Sequence, residues 1–147
     1  MRRIALGLVF VSLVFAGENK LTVFFAKFAT LFAAEDHKAL ADGGLVRFPL
    51  ELKGTLDDSP SVKISAKQFP GALQKIARQS SGLNATNLNE TEKEYIAAQA
   101  KAGKLPQDAG EGNVRSGNLV FGQKAGKWQL MKVYVSDELV SELSTKR

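Results

Sequence analysis

Few residues of this chain are of a type that carries chemistry. The single histidine, His37, stands beside Asp36. A histidine–carboxylate pair serves proton transfer, but neighbours on a helix point about 100° apart and do not hydrogen-bond side chain to side chain. Asp36 also opens a short apolar-periodic run, where a carboxylate caps a helix. Tyr134, on a C-terminal strand, is a candidate acid donor. No carboxylate stands at an apolar strand position as a base opposite it would. Glu51 alternates to the polar side of its strand, and Asp137 and Glu138 lie past the end of a strand. Cysteine is absent, which excludes disulfides, a thiolate nucleophile and a Cys-built metal site. One histidine argues against His-rich metal or catalytic clusters. No catalytic residue, metal or cofactor is assigned. Phe48, Trp128 and Tyr134 are the candidate ligand-pocket residues, and Trp128 is also the natural core anchor of its strand.

The elements that must position these residues follow from hydrophobic period. In "KLTVFFAKFATLFAA", residues 20–34, Leu21, Phe24, Phe25, Phe28, Leu31 and Phe32 recur at helical spacing. The polar side of this helix is not rich in basic residues, so its aromatic stripe reads as core rather than as a membrane-surface face. "AEDHKALADGG" predicts a second, short helix capped by Asp36 and ended by Asp42, Gly43 and Gly44.

A strand over 45–53 comes next. Val46, Phe48, Leu50 and Leu52 alternate with Arg47, Pro49, Glu51 and Lys53. Pro49 has no N–H to give to a ladder, so this strand must place it at an edge, a strand start or a bulge. The expectation is a strand near the sheet margin. "SVKIS" is short and β-branched and pairs with it as a small hairpin.

A third helix follows, with Phe69, Leu73, Ile76 and Ala77 inward. Ser65 and Gln68 have capping-box spacing, and Pro70 suits a first helical position. Residues 83–113 are polar and poor in large apolar side chains. They predict a helix over 90–102, with Asn89 and Glu92 at its cap, and then a Gly-rich loop. The last third reads as two strands, "NVRSGNLVFGQK" and "GKWQLMKVYVS", joined by a short "KAG" turn. Alternation falters at Leu130 and Met131, by a bulge or by cover on both faces. "DELVSELSTKR" reads as a polar tail with at most one helical turn.

At 147 residues, 44% hydrophobic and 24% charged, the chain has the size and composition of one globular domain with a normal core. Arg2 and Arg3, an apolar run from Ile4 to Phe15 and a V-x-A pattern ending at Ala16 make residues 1–16 a predicted signal peptide. The run is short for a membrane span, which takes about 20 residues. An exported protein is expected, periplasmic or extracellular, without a stable span once the leader is removed. No cysteine follows the run, so a lipoprotein anchor is excluded. Losing Arg2 and Arg3 takes the formal charge from +5 to +3. The basic residues are spread and broken by acids, which speaks against a nucleic-acid binder. "NAT" and "NET" have the form of glycosylation sequons, without meaning in a bacterial source.

The order of elements resembles the nuclear transport factor 2-like (NTF2-like) superfamily, and in particular exported bacterial members of it. The residues that carry the resemblance are "FFAKFATLFAAEDHKALA", "LVRFPLELKG", "ISAKQF" and "GNLVFGQKAGKWQLMKVYV", spread over 20–136. The resemblance implies an α+β cone in which N-terminal helices pack on a curved antiparallel sheet. The domain would span 17–147, with 83–113 as a helical insert. The open end of such a cone often holds a pocket. The functional expectation is a non-catalytic exported domain that binds a small apolar ligand or a protein partner, with self-association through the sheet. Its alternatives are an isomerase- or dehydratase-like enzyme, which would need a carboxylate in an apolar pocket near Tyr134, and a membrane-surface protein using Phe24 to Phe32.

Overall fold

The computed structural model describes residues 16–82 and 89–145. The predicted leader, apart from its last residue, and the Asn84 sequon lie outside these residues. The fold is α+β, with helices packed on a curved, unclosed six-stranded sheet in the order β2-β1-β6-β5-β4-β3.

Helix α1, Ala16–Ala33, carries the aromatic stripe. Phe24, Phe25, Phe28 and Phe32 are all buried. Three of them meet Phe121 of the sheet edge-on, with ring centroids 5.5, 6.0 and 5.0 Å away for Phe24, Phe25 and Phe28. Each such pair adds about 0.5–1.5 kcal/mol to simple burial. The stripe is therefore core and is not free to meet a membrane.

Beyond α1 the chain reverses at Glu35, which has φ 53°. Asp36 then caps α2, His37–Asp42, its Oδ1 accepting from the Ala39 N–H at 3.0 Å.

Strand β1, Val46–Gly54, pairs antiparallel with β2, Ser61–Ile64. It also pairs with β6, and this pairing is parallel, whereas the others in the sheet are antiparallel. So β1 lies one strand in from the margin, which β2 forms; the strand is near the edge as expected but is paired on both sides. Pro49 is accommodated by a different device. Pairing with β2 begins only at Leu50. On the other side the register jumps from Val46↔Leu130 to Glu51↔Lys132. Arg47, Phe48, Pro49 and Leu50 pass while β6 advances past Met131 alone. Pro49 thus sits in a bulge where neither neighbour asks for its N–H. The register of β5 against β6 skips Met131 as well, so the broken alternation in the sequence is a bulge.

Helix α3, Phe69–Arg78, has Pro70 in its first turn. The Ser65–Gln68 pair closes the turn before it: Gln68 Oε1 accepts from the Ser65 N–H at 3.0 Å, and Ser65 Oγ accepts from the Gln68 N–H at 3.4 Å. Helix α4, Glu92–Lys101, is capped by Thr91, with Glu94 completing a reciprocal capping box. The Asn89/Glu92 cap expected from spacing is off by two positions. Glu92 is inside the helix and fully buried.

The last third corrects the expectation most. Residues expected as a Gly-rich loop contain an edge strand, β3, Gln107–Gly110. "NVRSGNLVFGQK" is two strands, β4 (Asn113–Ser116) and β5 (Leu119–Lys124), folded back at Gly117–Asn118. Strand β6, Lys127–Val135, completes the sheet. The supposed polar tail is helix α5, Asp137–Thr145, which buries Leu139, Val140 and Leu143. Those three recur at i, i+1 and i+4, enough apolar surface for a docked helix but too little for periodicity to announce one.

Candidate functional site

The structure separates the three candidate pocket residues. Phe48 packs edge-on against Phe69 of α3, with ring centroids 5.2 Å apart. Trp128 lines a groove of about 570 Å³ beside α1. Tyr134 lines a larger, polar cavity of about 1160 Å³ on the side chains of β6 that turn away from the core. His37 is exposed in the first turn of α2, and the Asp36 carboxylate is committed to its cap.

The Trp128 groove is built by a tight turn. Lys124 and Lys127 pair across the β5–β6 hairpin, and between them Ala125 and Gly126 both have positive φ, 53° and 77°. That is the backbone of a two-residue hairpin loop whose twist suits the flanking strands. It delivers Lys127 and Trp128 to the end of the sheet. Lys127 Nζ donates to the Gly43 carbonyl at 3.3 Å, and the Gln129 amide donates to the Gly44 carbonyl at 3.1 Å, tying the hairpin to the α2–β1 link.

The floor of the groove is apolar: Val23 and Phe24 from α1, Leu45 and Trp128. Val23 is 68% exposed, and with Leu56 it stands out among the described residues, whose other large apolar side chains are buried or half-buried. Lys20, Lys27 and Lys127 also line the groove, and among the described residues no carboxylate does. The Trp128 indole N–H is buried and has no acceptor.

The Tyr134 cavity has a different character. Arg115, Val120 and Lys132 stand opposite one another on β4, β5 and β6. Val120 is buried yet lies outside the main core, because it faces this side of the sheet. The Arg115 guanidinium lies 4.4 Å from the Tyr134 ring centre, and Lys132 Nζ lies 5.2 Å from it. Arg115 Nε donates to the Gly117 carbonyl at 2.8 Å.

Glu92 is the buried carboxylate that sequence reading missed. Its polar type and the cap-like spacing assigned it to the surface. Burial pushes its pKa up to about 7, and the amides of Asn118 and Gln79 and the charge of Arg115 oppose this. Gln79 Nε2 donates to Glu92 Oε1 at 3.3 Å and to the Tyr134 carbonyl at 3.0 Å. Oε2 has no hydrogen-bond partner. An isomerase-like site needs such a carboxylate to face an apolar cavity. Glu92 is instead fully buried and is not among the residues that line the Tyr134 cavity, although its Oε2 lies close to Gly117, which does, and that cavity is polar. Among the described residues no cluster of His, Asp and Glu has the arrangement of a metal site, and no helix is long and apolar enough to cross a membrane.

Comparison of the chain with protein families, curated proteins and solved structures finds no match.

Proposed function

We propose that this chain is an exported, nuclear transport factor 2-like domain that binds a small apolar ligand bearing an acidic head, without acting on it chemically. The order of elements and the helix-on-sheet architecture support the family reading, and the N-terminal residues support export. The observation that carries the ligand reading is the Trp128 groove. Its floor is apolar, lysines ring it, and among the described residues no carboxylate lines it. A volume of about 570 Å³ falls in the range of about 300–1,000 Å³ usual for small-molecule sites. Lysine stems cover apolar surface while their ammonium groups stay in water, which suits a ligand with a buried tail and an anionic head at the rim. A single-chain carboxylate of the fatty-acid type fits that description.

The chain has one tryptophan, so its emission reports on the groove directly. Titration with dodecanoate, dodecanol and dodecyltrimethylammonium below their micelle concentrations separates tail from head. The expected order of affinity is carboxylate, then alcohol, then ammonium. Each buried methylene contributes about 0.8 kcal/mol, so decanoate should bind roughly tenfold or more weaker than dodecanoate. Equal affinity for all three head groups would reject the acidic-head reading. Flotation with neutral or anionic liposomes, with no binding of monomeric dodecanoate, would assign the groove to a bilayer instead.

A further inference from the structure

We propose that the Tyr134 cavity is a second binding site, for a small polar phosphate monoester such as a phosphorylated sugar, held by Arg115 and Lys132. The Trp128 groove plays no part in it.

The first ground is a pair of converging cations that make no ion pair; the carboxylate whose charge Arg115 feels, Glu92, is fully buried and does not line the cavity. Arg115 and Lys132 converge on one aromatic ring, at 4.4 and 5.2 Å from its centre. Neither has a carboxylate within ion-pair distance among the described residues. Like charges brought together repel, and the face of a half-buried ring returns only about 1–2 kcal/mol to each cation. An anion between them supplies what the ring does not.

The second ground is position. The cross-strand order Arg115, Val120, Lys132 continues through Glu51 to Lys63, so both cations project from the middle of a rigid ladder. Arg115 is fixed further by its bond to the Gly117 carbonyl, which occupies Nε and leaves the terminal nitrogens free for a forked contact with an oxyanion. Glu51 is the acid nearest in the ladder. It stands between Lys132 and Lys63 and forms an ion pair with neither.

The third ground is the lining. Gln99, Gln107, Asn113 and Ser116 offer neutral donors and acceptors around the cations, as hydroxyl groups of a ligand require, and Lys104 adds a further cation at the rim. The acids of the cavity, Asp108 and Glu111, belong to the exposed β3–β4 hairpin. Asp108 Oδ1 is already taken by the Gly110 N–H at 3.1 Å.

The test is titration of the full chain, labelled with nitrogen-15, with glucose 6-phosphate, glucose and inorganic phosphate, read as amide shifts. Glucose 6-phosphate should move the amides of 115–120 and 132–134, phosphate should move the same set at higher concentration, and glucose should move none. Trp128 emission should stay unchanged. Lys132→Gln should weaken glucose 6-phosphate about tenfold, the loss of one charge-assisted hydrogen bond, while the spectrum elsewhere stays native. Arg115→Lys keeps the charge and loses the fork, and should weaken it as well. Absence of shifts at 10 mM glucose 6-phosphate, or unchanged affinity in Lys132→Gln, would overturn the proposal. A single-stranded oligonucleotide that shifts the same amides with higher affinity than glucose 6-phosphate would replace it with nucleic-acid binding.

Discussion

The side-chain amide of Gln79 donates to Glu92 Oε1 at 3.3 Å and, with the same nitrogen, to the backbone carbonyl of Tyr134 at 3.0 Å. One amide thus joins the end of α3, the start of α4 and the last strand at a carboxylate removed from water. The arrangement costs stability when Glu92 is charged. Its pKa is near 7 in the fold against an ordinary 4.5, so between those values the folded state holds a proton that the unfolded chain has lost. Stability is full below about pH 4.5 on this account and falls as pH rises through about 7. Glu92→Gln keeps the shape without the charge. Urea unfolding should show the variant more stable than the parent at pH 8, by up to about 3 kcal/mol, and little different at pH 4.5. An equal change at both pH values would contradict the burial argument.

Glu35 should behave in the opposite sense. Its Oε2 accepts from Arg78 Nε at 3.0 Å and from Lys93 Nζ at 2.7 Å, linking the α1–α2 corner to α3 and α4. Hydrogen bonds from Lys93 and then Arg78 hold its pKa below the ordinary value. That contribution is present above pH 4.5 and is lost as pH falls through the lowered value. The pairs reach the surface, so Glu35→Gln should cost no more than about 1 kcal/mol at pH 7, and less in 1 M salt. Unfolding curves at two salt concentrations measure it. A larger loss that salt leaves untouched would mean that the corner depends on something other than charge.

Gly117 makes the fold-back between β4 and β5. It has φ +57°, and a Cβ there would lie 2.6 Å from Glu92 Oε2 and 3.1 Å from the Tyr95 ring. Gly117→Ala should therefore destabilise by about 1–3 kcal/mol, from backbone strain and contact together. The amides of Glu92 and Tyr95 should move in the NMR spectrum. A neutral substitution would argue that the turn is looser than its geometry.

The C-terminal helix is a test of domain extent. Leu143 is 6% exposed, and Leu139 and Val140 are buried beside it. Leu143→Ala should cost about 2–3 kcal/mol, as deletion of a core leucine does. A change under 0.5 kcal/mol would return α5 to the status of a tail.

Much of the architecture is legible in the residues alone, where a local pattern and a tertiary role coincide. The phenylalanines of α1 lie at helical spacing and are core for the same reason: only one face of a helix can be removed from water. Asp36 caps α2, the "KAG" turn makes the hairpin, and Pro49 demands a break in pairing, because each depends on backbone chemistry within a few residues. What only the tertiary structure decides is which distant groups meet. Spacing does not tell that β1 runs parallel to β6, that Pro49 and Met131 share one irregularity, or that α5 is docked. It does not tell that Glu92, polar and near a helix cap, is fully buried beside Gly117. Nor does it bring Arg115 and Lys132 onto Tyr134 or place lysines around Trp128. Charge spread along a chain carries no information about its clustering in space, since neighbours across strands are set by register, and register is a property of the whole sheet.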